Sequence, residues 1–301
     1  MMFIHIGYPE TATTLLQQNI FPYHPEIEYW NRHTPKYAWL NDIVTLHDFD
    51  FNADKIRLKA INVWGVETAK IKLISWERLL GHPYTGGRES RVIADRLHAI
   101  FPDAKIIICI RHQLDMIDSL YRQYVHQGGS CNFEEFLNLD HENNVWFFFD
   151  YLFYDRIVAY YQKLFGFNSV FVCLYESLKE TPARFMNRLF LFLNIKRLSV
   201  GLNTKVNQGM SPVSVKIART LNRFVHSVSF NPDPVIPSAL VNSRSVRKLL
   251  QGYLDPSLFN RLSDPKSFIS KKEVLNNYFR KTNRSLLKRL DLPLKKYHYP
   301  L

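Results

Sequence analysis

Long apolar segments are the first feature that the sequence lacks. No apolar run in its 301 residues approaches the ~20 residues that a membrane-spanning helix needs. The basic segment followed by an apolar segment that marks a secretory leader is also missing. With 46% hydrophobic and 14% aromatic residues, the composition is typical of a globular protein with a sizeable core. We therefore expect a cytoplasmic protein, the alternative being one whose targeting segment is absent from this sequence.

Cysteine is scarce as well, with only Cys109, Cys131 and Cys173. Two of the three lie in apolar, strand-like runs, where a free cysteine behaves as a small hydrophobic residue. Their spacing forms no CxxC pair. The sequence therefore predicts neither a metal site nor a disulfide framework, and a reducing compartment fits.

Acidic residues are scarce in the last third of the chain. Residues 201–301 contain 18 Lys and Arg against 5 Asp and Glu, whereas residues 1–200 contain 21 against 22. The last third therefore accounts for the whole formal net charge of +12. Such a region attracts polyanions, among them nucleotides, sulfated or carboxylated glycans, nucleic acids and membrane surfaces. The alternative is a solvated basic face without a partner.

Apolar runs and amphipathic stretches alternate along residues 1–200. The runs predict strands at Phe3–Ile6, Ile71–Ser75, Lys105–Ile110 and Ser169–Tyr175. The stretches predict helices over Asn52–Val63, Ser90–Phe101, Leu114–Val125, Val145–Phe165 and Thr181–Asn194. His24–Trp39 lacks clear periodicity and is expected to be irregular.

Strands that alternate with helices predict an α/β fold with a mostly parallel central sheet flanked by helices. From Ser211 onward the strand signals end, and short basic helices are expected. We predict a single domain, residues 1–301, made of an α/β core (1–200) and a basic helical C-terminal layer (201–301).

The first predicted strand is followed by a turn and a helix start. Gly7, Tyr8 and Pro9 interrupt the strand, and Thr11 to Gln18 has the pattern of a helix. The free N–H groups of a helix start attract anions, and the threonine hydroxyls add donors. The loop does not match the P-loop, because it lacks the second glycine and the lysine of G-x-x-x-x-G-K-[ST]. An ordinary strand-to-helix turn is the alternative.

A second cluster follows the third predicted strand. Arg111 stands at its carboxyl end, where open α/β sheets bind ligands, and Ser119 follows eight residues later on a predicted helix. A guanidinium fork and a hydroxyl suit a phosphate. The alternative is an arginine that caps the strand and pairs with Asp115.

Together these stretches resemble the sulfotransferases that use 3′-phosphoadenosine 5′-phosphosulfate (PAPS), which have a P-loop-NTPase-like fold. Pro9, Thr11, Thr13 and Thr14 match the family's P-K-T-G-T-T loop, in which Glu10 and Ala12 replace the lysine and the glycine. Further similarity covers nearly the whole chain. It includes Arg111, Ser119 and Tyr121 of the 3′-phosphate motif, the Tyr175-Glu176 region within Val170–Leu193, and the tail Asn283–Pro300.

The resemblance implies a role for each matched position. The loop, including Tyr8, would hold the 5′ end of the nucleotide, Arg111 and Ser119 the 3′-phosphate, and Tyr175 would lie near the adenine. Glu77, just after the second predicted strand, would be the base that takes the proton of the acceptor hydroxyl. Family members close a basic loop over the nucleotide, and Lys205–Gly209 occupies that region here. No metal is implied.

Two of these residues have alternative interpretations. Glu77 also suits the first turn of a helix, where the dipole favours a carboxylate. Tyr175 is equally consistent with a core aromatic residue.

The two substitutions in the loop bear on activity. A carboxylate at ~4 Å from phosphate or sulfate oxygens is repulsive by roughly 1–4 kcal/mol. Glu10 could point away while Lys70, Lys72, Arg78 or Arg88 replaces the family lysine. Ala12 requires only that its position not need a positive φ.

The sequence thus predicts transfer of a sulfuryl group from PAPS, with release of 3′-phosphoadenosine 5′-phosphate (PAP), to a hydroxyl acceptor such as a small molecule or an anionic glycan. The main alternative is a catalytically impaired relative that binds PAP, PAPS or a polyanion without turnover. Nucleic acid is not the expected partner. A nucleotide kinase is disfavoured by the missing GK[ST].

Overall fold

The computed structural model describes residues 1–31, 37–64, 70–137, 148–198, 212–224 and 265–301. Two compact units are present. The first comprises Met1–His112, Phe148–Thr204 and Phe279–Leu301, and the second comprises Gln113–Phe147 and Lys205–Tyr278. The predicted nucleotide-covering loop at 205–209 lies outside the described residues.

A five-stranded parallel sheet forms the centre of the first unit, in the order β2-β3-β1-β4-β5. The strands are β1 (Met2–Gly7), β2 (Ile27–Trp30), β3 (Ile71–Ser75), β4 (Lys105–Ile110) and β5 (Val170–Leu174). In β4 every residue after Lys105 is buried, as expected of a β-branched run covered on both faces. The predicted α/β fold with a parallel sheet is confirmed.

The prediction of an irregular segment over His24–Trp39 is wrong for β2. This strand pairs with β3 along its whole length, from Ile27 beside Ile71 to Trp30 beside Ile74. It has only four residues, and neither Glu28 nor Tyr29 is fully buried. Four residues at a sheet edge give too short a pattern to be recognised from the sequence.

Helices of the first unit connect and cover these strands. They are α1 (Thr13–Leu15), α2 (Trp39–Thr45), α3 (Ala53–Trp64), α4 (Ser90–Ile100), α7 (Tyr154–Phe165), α8 (Tyr175–Glu180) and α9 (Pro182–Leu193). The first of them continues as a π-helical turn, Leu16–Ile20. The boundaries of α3, α4 and α9 lie within one residue of those predicted.

The helix predicted over Val145–Phe165 is wrong for its described first part. Residues 148–153 form an extended residue and a 3₁₀ turn, and the helix begins only at Tyr154. Phe149, Tyr151, Leu152 and Phe153 are all buried, which a helix with one apolar face could not achieve. The carbonyl of Tyr151 accepts a hydrogen bond from the Tyr8 hydroxyl instead of continuing a helix.

The hydrophobic core of the first unit covers both faces of the sheet. On one face, Phe3, Leu73, Ile107 and Cys173 pack against the buried side of α9 and the π-helical turn. Residues with the opposite parity, such as Ile4, Ile74 and Ile108, are equally buried, and α7 contacts β4 and β5. The sheet therefore has the two-sided burial that all-parallel sheets require.

The second unit contains α5 (Gln113–His126), α6 (Phe133–Phe136) and α10 (Pro212–Asn222). The Asn222 side chain donates hydrogen bonds to the carbonyls of Val125 and Gly129 at 2.7 and 2.8 Å, which caps the C-terminal end of α5. Tyr121, a matched position of the 3′-phosphate motif, is buried among aromatic residues here.

The last described helix, α11 (Pro265–Arg289), spans 25 residues and is therefore longer than the short helices expected from the sequence. Its first part belongs to the second unit and its last part to the first. None of the described helices is both long enough and apolar enough to cross a membrane.

Candidate functional site

The loop after β1 begins at the centre of the sheet, between the ends of β3 and β4. Gly7 has a φ of +95°, and a Cβ atom at this position would lie 3.2 Å from the Cα of Glu77. Only glycine combines this backbone conformation with so close an approach. The candidate base therefore lies directly against the start of the predicted anion loop.

Two of the predicted loop ligands use their hydroxyls to hold the loop itself. Tyr8 is fully buried, and its hydroxyl donates to the Tyr151 carbonyl at 2.9 Å. The hydroxyl of Thr11 donates to the Tyr8 carbonyl at 2.6 Å. Thr13 is buried, whereas Thr14 is exposed in the first helical turn. A ligand would therefore meet backbone N–H groups and Thr14 rather than the hydroxyls of Tyr8 and Thr11.

The loop turns by means of two residues in the left-handed region. Glu10 has a φ of 59° and Ala12 a φ of 60°. The expectation that position 12 does not need a positive φ is therefore wrong. An L-residue in this region costs roughly 1–2 kcal/mol, which glycine avoids. The replacement of the family glycine by Ala12 thus stores strain in the loop.

Arg111, just after β4, connects the loop with the region after β5. Its Nη1 donates to the Glu10 carbonyl at 3.1 Å, and its guanidinium lies 4.7 Å from the ring centroid of Tyr175. Its own carbonyl accepts from the Tyr154 hydroxyl at 2.6 Å. Three predicted nucleotide ligands, Glu10, Arg111 and Tyr175, are therefore brought together.

The guanidinium of Arg111 is not saturated by these contacts. Within the described residues, its buried Nε has no hydrogen-bond partner. A buried donor without a partner costs free energy, and an anion placed beside the guanidinium would remove that cost. The residues at this end of the sheet therefore fit a phosphate.

Ser119, the predicted partner of Arg111, lies two turns into α5 and is half-buried. Arg111 belongs to the first unit and Ser119 to the second. Their joint action on one phosphate stays a prediction.

Glu77 begins a 3₁₀ turn, Glu77–Leu80, just after β3. Its Oε1 accepts a hydrogen bond from the Gln17 carboxamide at 3.0 Å, and the same carboxamide nitrogen donates to Ser75 Oγ at 3.1 Å. Ser75 Oγ also lies 2.7 Å from His5 Nδ1. A chain of hydrogen-bonded polar side chains therefore holds the half-buried carboxylate of Glu77.

Tyr29 on β2 completes the surroundings of Glu77. Burial raises the pKa of the Tyr29 phenol well above its usual value, and the nearby Glu77 carboxylate adds to this effect. The phenol thus remains protonated beside the candidate base. Sequence reasoning missed Gln17 and Tyr29, because Gln17 lies in a π-helical turn and Tyr29 in the unrecognised strand.

Two of the cations considered as replacements for the family lysine stand at the wrong end of the sheet. Lys72 pairs with Met2 at the amino end of β3, and Lys70 precedes that strand, whereas the loop leaves the carboxyl end of β1. Arg88 is exposed and stacks on the Phe148 ring at 4.8 Å. Arg78, next to Glu77 in the same turn, is the better placed of the four.

The three cysteines are free. The residues with described side chains contain no group of His, Cys, Asp or Glu that could hold a metal ion. Cys109 and Cys173 face each other across β4 and β5, with 2.9 Å between their sulfur atoms. This hydrogen bond lowers the pKa of the Cys109 thiol, while burial raises the pKa of the Cys173 thiol. Because both are buried, they belong to the core of the sheet.

Part of the chain matches the model of a known protein family. Residues 91–198 match the model of the sulfotransferase family. The predicted similarity to sulfotransferases is confirmed over this stretch. The matched stretch contains Arg111, Ser119 and Tyr175, but neither the Gly7–Thr14 loop nor Glu77. The match supports the prediction that the protein is a transferase.

Solved sulfotransferases also resemble the chain, at low identity. One from Alicyclobacillus acidocaldarius is 17% identical, with 73% of this chain and 92% of that one covered and a TM-score of 0.49. A mouse sulfotransferase complexed with PAP is 14% identical, with 95% and 87% covered and a TM-score of 0.47. A search of curated proteins gave no match.

Proposed function

We propose that this chain is a PAPS-dependent sulfotransferase that acts on a hydroxyl acceptor. The observation that supports this best is the position of Arg111. It contacts the loop after β1 through the Glu10 carbonyl, stacks on Tyr175 after β5, and keeps a buried donor without a partner within the described chain. A nucleotide with a 3′-phosphate, an adenine and a charged 5′ end matches these three elements.

Each residue then has a defined task. Arg111 and Ser119 bind the 3′-phosphate, and Tyr175 orients the adenine. The backbone N–H groups of residues 10–14 bind the 5′ end, since Pro9 has no N–H group. PAPS supplies a sulfuryl group that is activated by its bond to phosphate. Glu77, held by Gln17, accepts the proton of the acceptor hydroxyl. The acceptor oxygen forms the new S–O bond as the S–O bond to the 5′-phosphate breaks.

The acceptor is the least defined component. Arg280, Arg284 and Lys288 are exposed at four-residue intervals on α11 and thus lie along one stripe. With the basic composition of residues 201–301, this stripe favours an anionic acceptor such as a glycan. We further propose that the protein acts in the cytoplasm.

A catalytically impaired binder is a second candidate, and Glu10 favours it. Its carboxylate replaces a cation in the loop that meets the 5′ end, and neither Lys70 nor Lys72 can compensate from the opposite end of β3. Loss of one preorganised donor of this kind costs a factor of roughly 10²–10³ in turnover. The Glu10→Lys variant separates the candidates, since it should raise turnover if Glu10 limits it.

A thermal-shift titration tests the binding half of the proposal. PAP, AMP and ADP are compared at fixed salt, because binding to the native state alone adds about 2.7 kcal/mol of stability at a hundredfold excess over Kd. A shift selective for PAP supports the 3′-phosphate site, and no shift with any nucleotide contradicts it. Turnover is then measured as release of PAP from PAPS with a panel of 4-nitrophenol, N-acetylglucosamine oligomers and chondroitin. PAP binding without turnover in the wild type, restored by Glu10→Lys, identifies the impaired binder.

A further inference from the structure

The last twelve residues of the described chain contact the end of β4 and the start of α8. We call residues 290–301 the C-terminal tail. One turn of the tail is closed by two backbone hydrogen bonds, from His298 N to the Lys295 carbonyl at 3.1 Å and from Tyr299 N to the Leu294 carbonyl at 3.1 Å. His298 has a φ of 57°. This is the hydrogen-bond pattern of a Schellman motif, with His298 at the left-handed position.

The carbonyl of His298, the left-handed residue of this turn, accepts a hydrogen bond at the carboxyl end of β4. The Nε2–H of His112 donates to the His298 carbonyl at 3.0 Å. The rings of His112 and Tyr299 meet edge to face, with 5.2 Å between their centroids. Because His112 directly follows Arg111, the tail is fixed to the residue next to the proposed phosphate ligand.

Glu176 connects the same three elements. One of its carboxylate oxygens accepts from the His112 backbone N–H at 2.8 Å, and the other accepts from the Tyr299 hydroxyl at 3.1 Å. Both oxygens therefore have donors, one at the end of β4 and one in the tail. Hydrogen bonds to a charged acceptor are stronger than those between neutral groups, and a part-buried site screens them less.

The contact between His112 and Glu176 is adjacent in sequence to the contact between Arg111 and Tyr175, which forms part of the proposed nucleotide site. Arg111 stacks on Tyr175, and the residue after Arg111, His112, donates its backbone N–H to the residue after Tyr175, Glu176. Two consecutive residues after β4 thus face the first two residues of α8. The bond between His112 and Glu176 fixes the spacing at which the guanidinium of Arg111 lies over the Tyr175 ring.

We propose that Glu176 and Tyr299 are positioning residues for the nucleotide, through which the C-terminal tail preorganises Arg111 and Tyr175. The inference rests on the proposed function, because it needs Arg111 to bind the 3′-phosphate. An arginine whose rotamer is fixed before binding loses less entropy when the ligand arrives. The tail therefore contributes to recognition of the 3′-phosphate without contacting it.

The experiment compares Tyr299→Phe with Tyr297→Phe by titration with PAP and AMP. Tyr297, another tyrosine of the tail, is the matched control. Its hydroxyl donates to Glu180, rather than to Glu176, at 2.6 Å. We expect Tyr299→Phe to weaken PAP binding about tenfold and to lower the ratio of PAP affinity to AMP affinity, while Tyr297→Phe leaves that ratio unchanged. Unliganded melting temperatures show whether both variants are folded.

A double-mutant cycle between Tyr299→Phe and Glu176→Gln tests whether the tyrosine acts through the carboxylate. Once Glu176 is replaced, we expect Tyr299→Phe to have little further effect on PAP affinity. If Tyr299→Phe folds and binds PAP as the wild type does, or if the two effects simply add, the inference is wrong while the proposed function stands. If the wild type itself does not prefer PAP to AMP, the proposed function fails and the inference fails with it. Should Tyr299→Phe not fold, Glu176→Gln must show the same loss of PAP preference.

Discussion

The ends of β3 and β4 lie on either side of the loop that leaves β1, and the two are held in different ways. Arg111, after β4, is anchored through backbone carbonyls, its own and that of Glu10, and by the Tyr175 ring. Glu77, after β3, is held by the carboxamide of Gln17. The proposed binding group is thus held through main-chain carbonyls as well as side chains, whereas the proposed base is held by a side chain.

This difference predicts that binding and chemistry can be altered separately. Carbonyl groups remain when neighbouring side chains are changed, so the nucleotide side should tolerate substitutions around β3. The position of Glu77 depends on a side chain that can be removed without changing the charge of the protein. Substitutions at the two ends should therefore separate into effects on nucleotide affinity and effects on kcat.

The largest effect is expected when Glu77 is replaced by glutamine. Loss of a general base lowers a rate by roughly 10²–10⁴-fold. Affinity for PAP should stay within about twofold of the wild type. Steady-state release of PAP from PAPS with the best acceptor of the panel, together with a PAP titration, checks both values. Retention of the wild-type kcat would remove Glu77 from the mechanism.

Arg111→Ala should have the opposite signature. Truncating a charged group that binds an oppositely charged partner costs about 2–4 kcal/mol, or roughly 30- to 1000-fold in Kd. Isothermal titration with PAP measures this loss, and AMP affinity should fall much less. Arg184, an exposed arginine of α9, provides the matched Arg184→Ala control. Equal losses for PAP and AMP would argue against a 3′-phosphate contact.

Gln17→Leu tests the hold on Glu77 and should lower kcat by roughly tenfold. The leucine removes the donor to Oε1, and a hydrogen bond to a charged group contributes about 1.5–3 kcal/mol, of which part is recovered by water. Gln18→Leu is the control, because Gln18 is the exposed neighbour of the same type. The comparison of kcat with KM and with PAP affinity separates misplacement of the base from damage to the nucleotide site. A similar kcat for the two variants would contradict this role for Gln17.

The smallest effect concerns the loop between the two ends. Ala12→Gly should raise stability by about 0.5–1 kcal/mol, because glycine relieves the left-handed strain at a φ of 60° but adds freedom to the unfolded chain. At this size we expect the melting temperature to rise by roughly 1–3 °C in calorimetry. Ala94→Gly, in the middle of α4, should instead destabilise the protein by about 1 kcal/mol. A lower melting temperature for Ala12→Gly would contradict the strain.

The parts of the site that were predictable are those that follow long apolar strands. Arg111 and Glu77 come directly after β4 and β3, and the carboxyl ends of parallel strands mark the ligand edge of a sheet. The hydrophobic pattern alone placed Arg111 at that edge, whereas Glu77 was singled out by the resemblance to sulfotransferases. The conformation of position 12 was not predictable, since an alanine gives no sign of a positive φ.

The missing parts are contacts between segments that are distant in the chain. Gln17 and Glu77 are 60 positions apart, and Glu176 and Tyr299 are 123 positions apart. Local periodicity contains no information on such pairs, because it reports only which face of an element is buried. The strand β2 was missed for a different reason, namely that a four-residue edge strand is shorter than one full pattern.

The central position of β1 in the sheet also affects how the chain folds during its synthesis. This strand pairs with β3 and β4, whose partner residues are about 70 and 100 positions later in the chain. At ~5–20 residues per second, the apolar β1 emerges several seconds before either partner has been synthesised. Non-local parallel pairing is slow and exposes such segments in the meantime. Expression yield should therefore depend on chaperone capacity and on the speed of translation between β1 and β4.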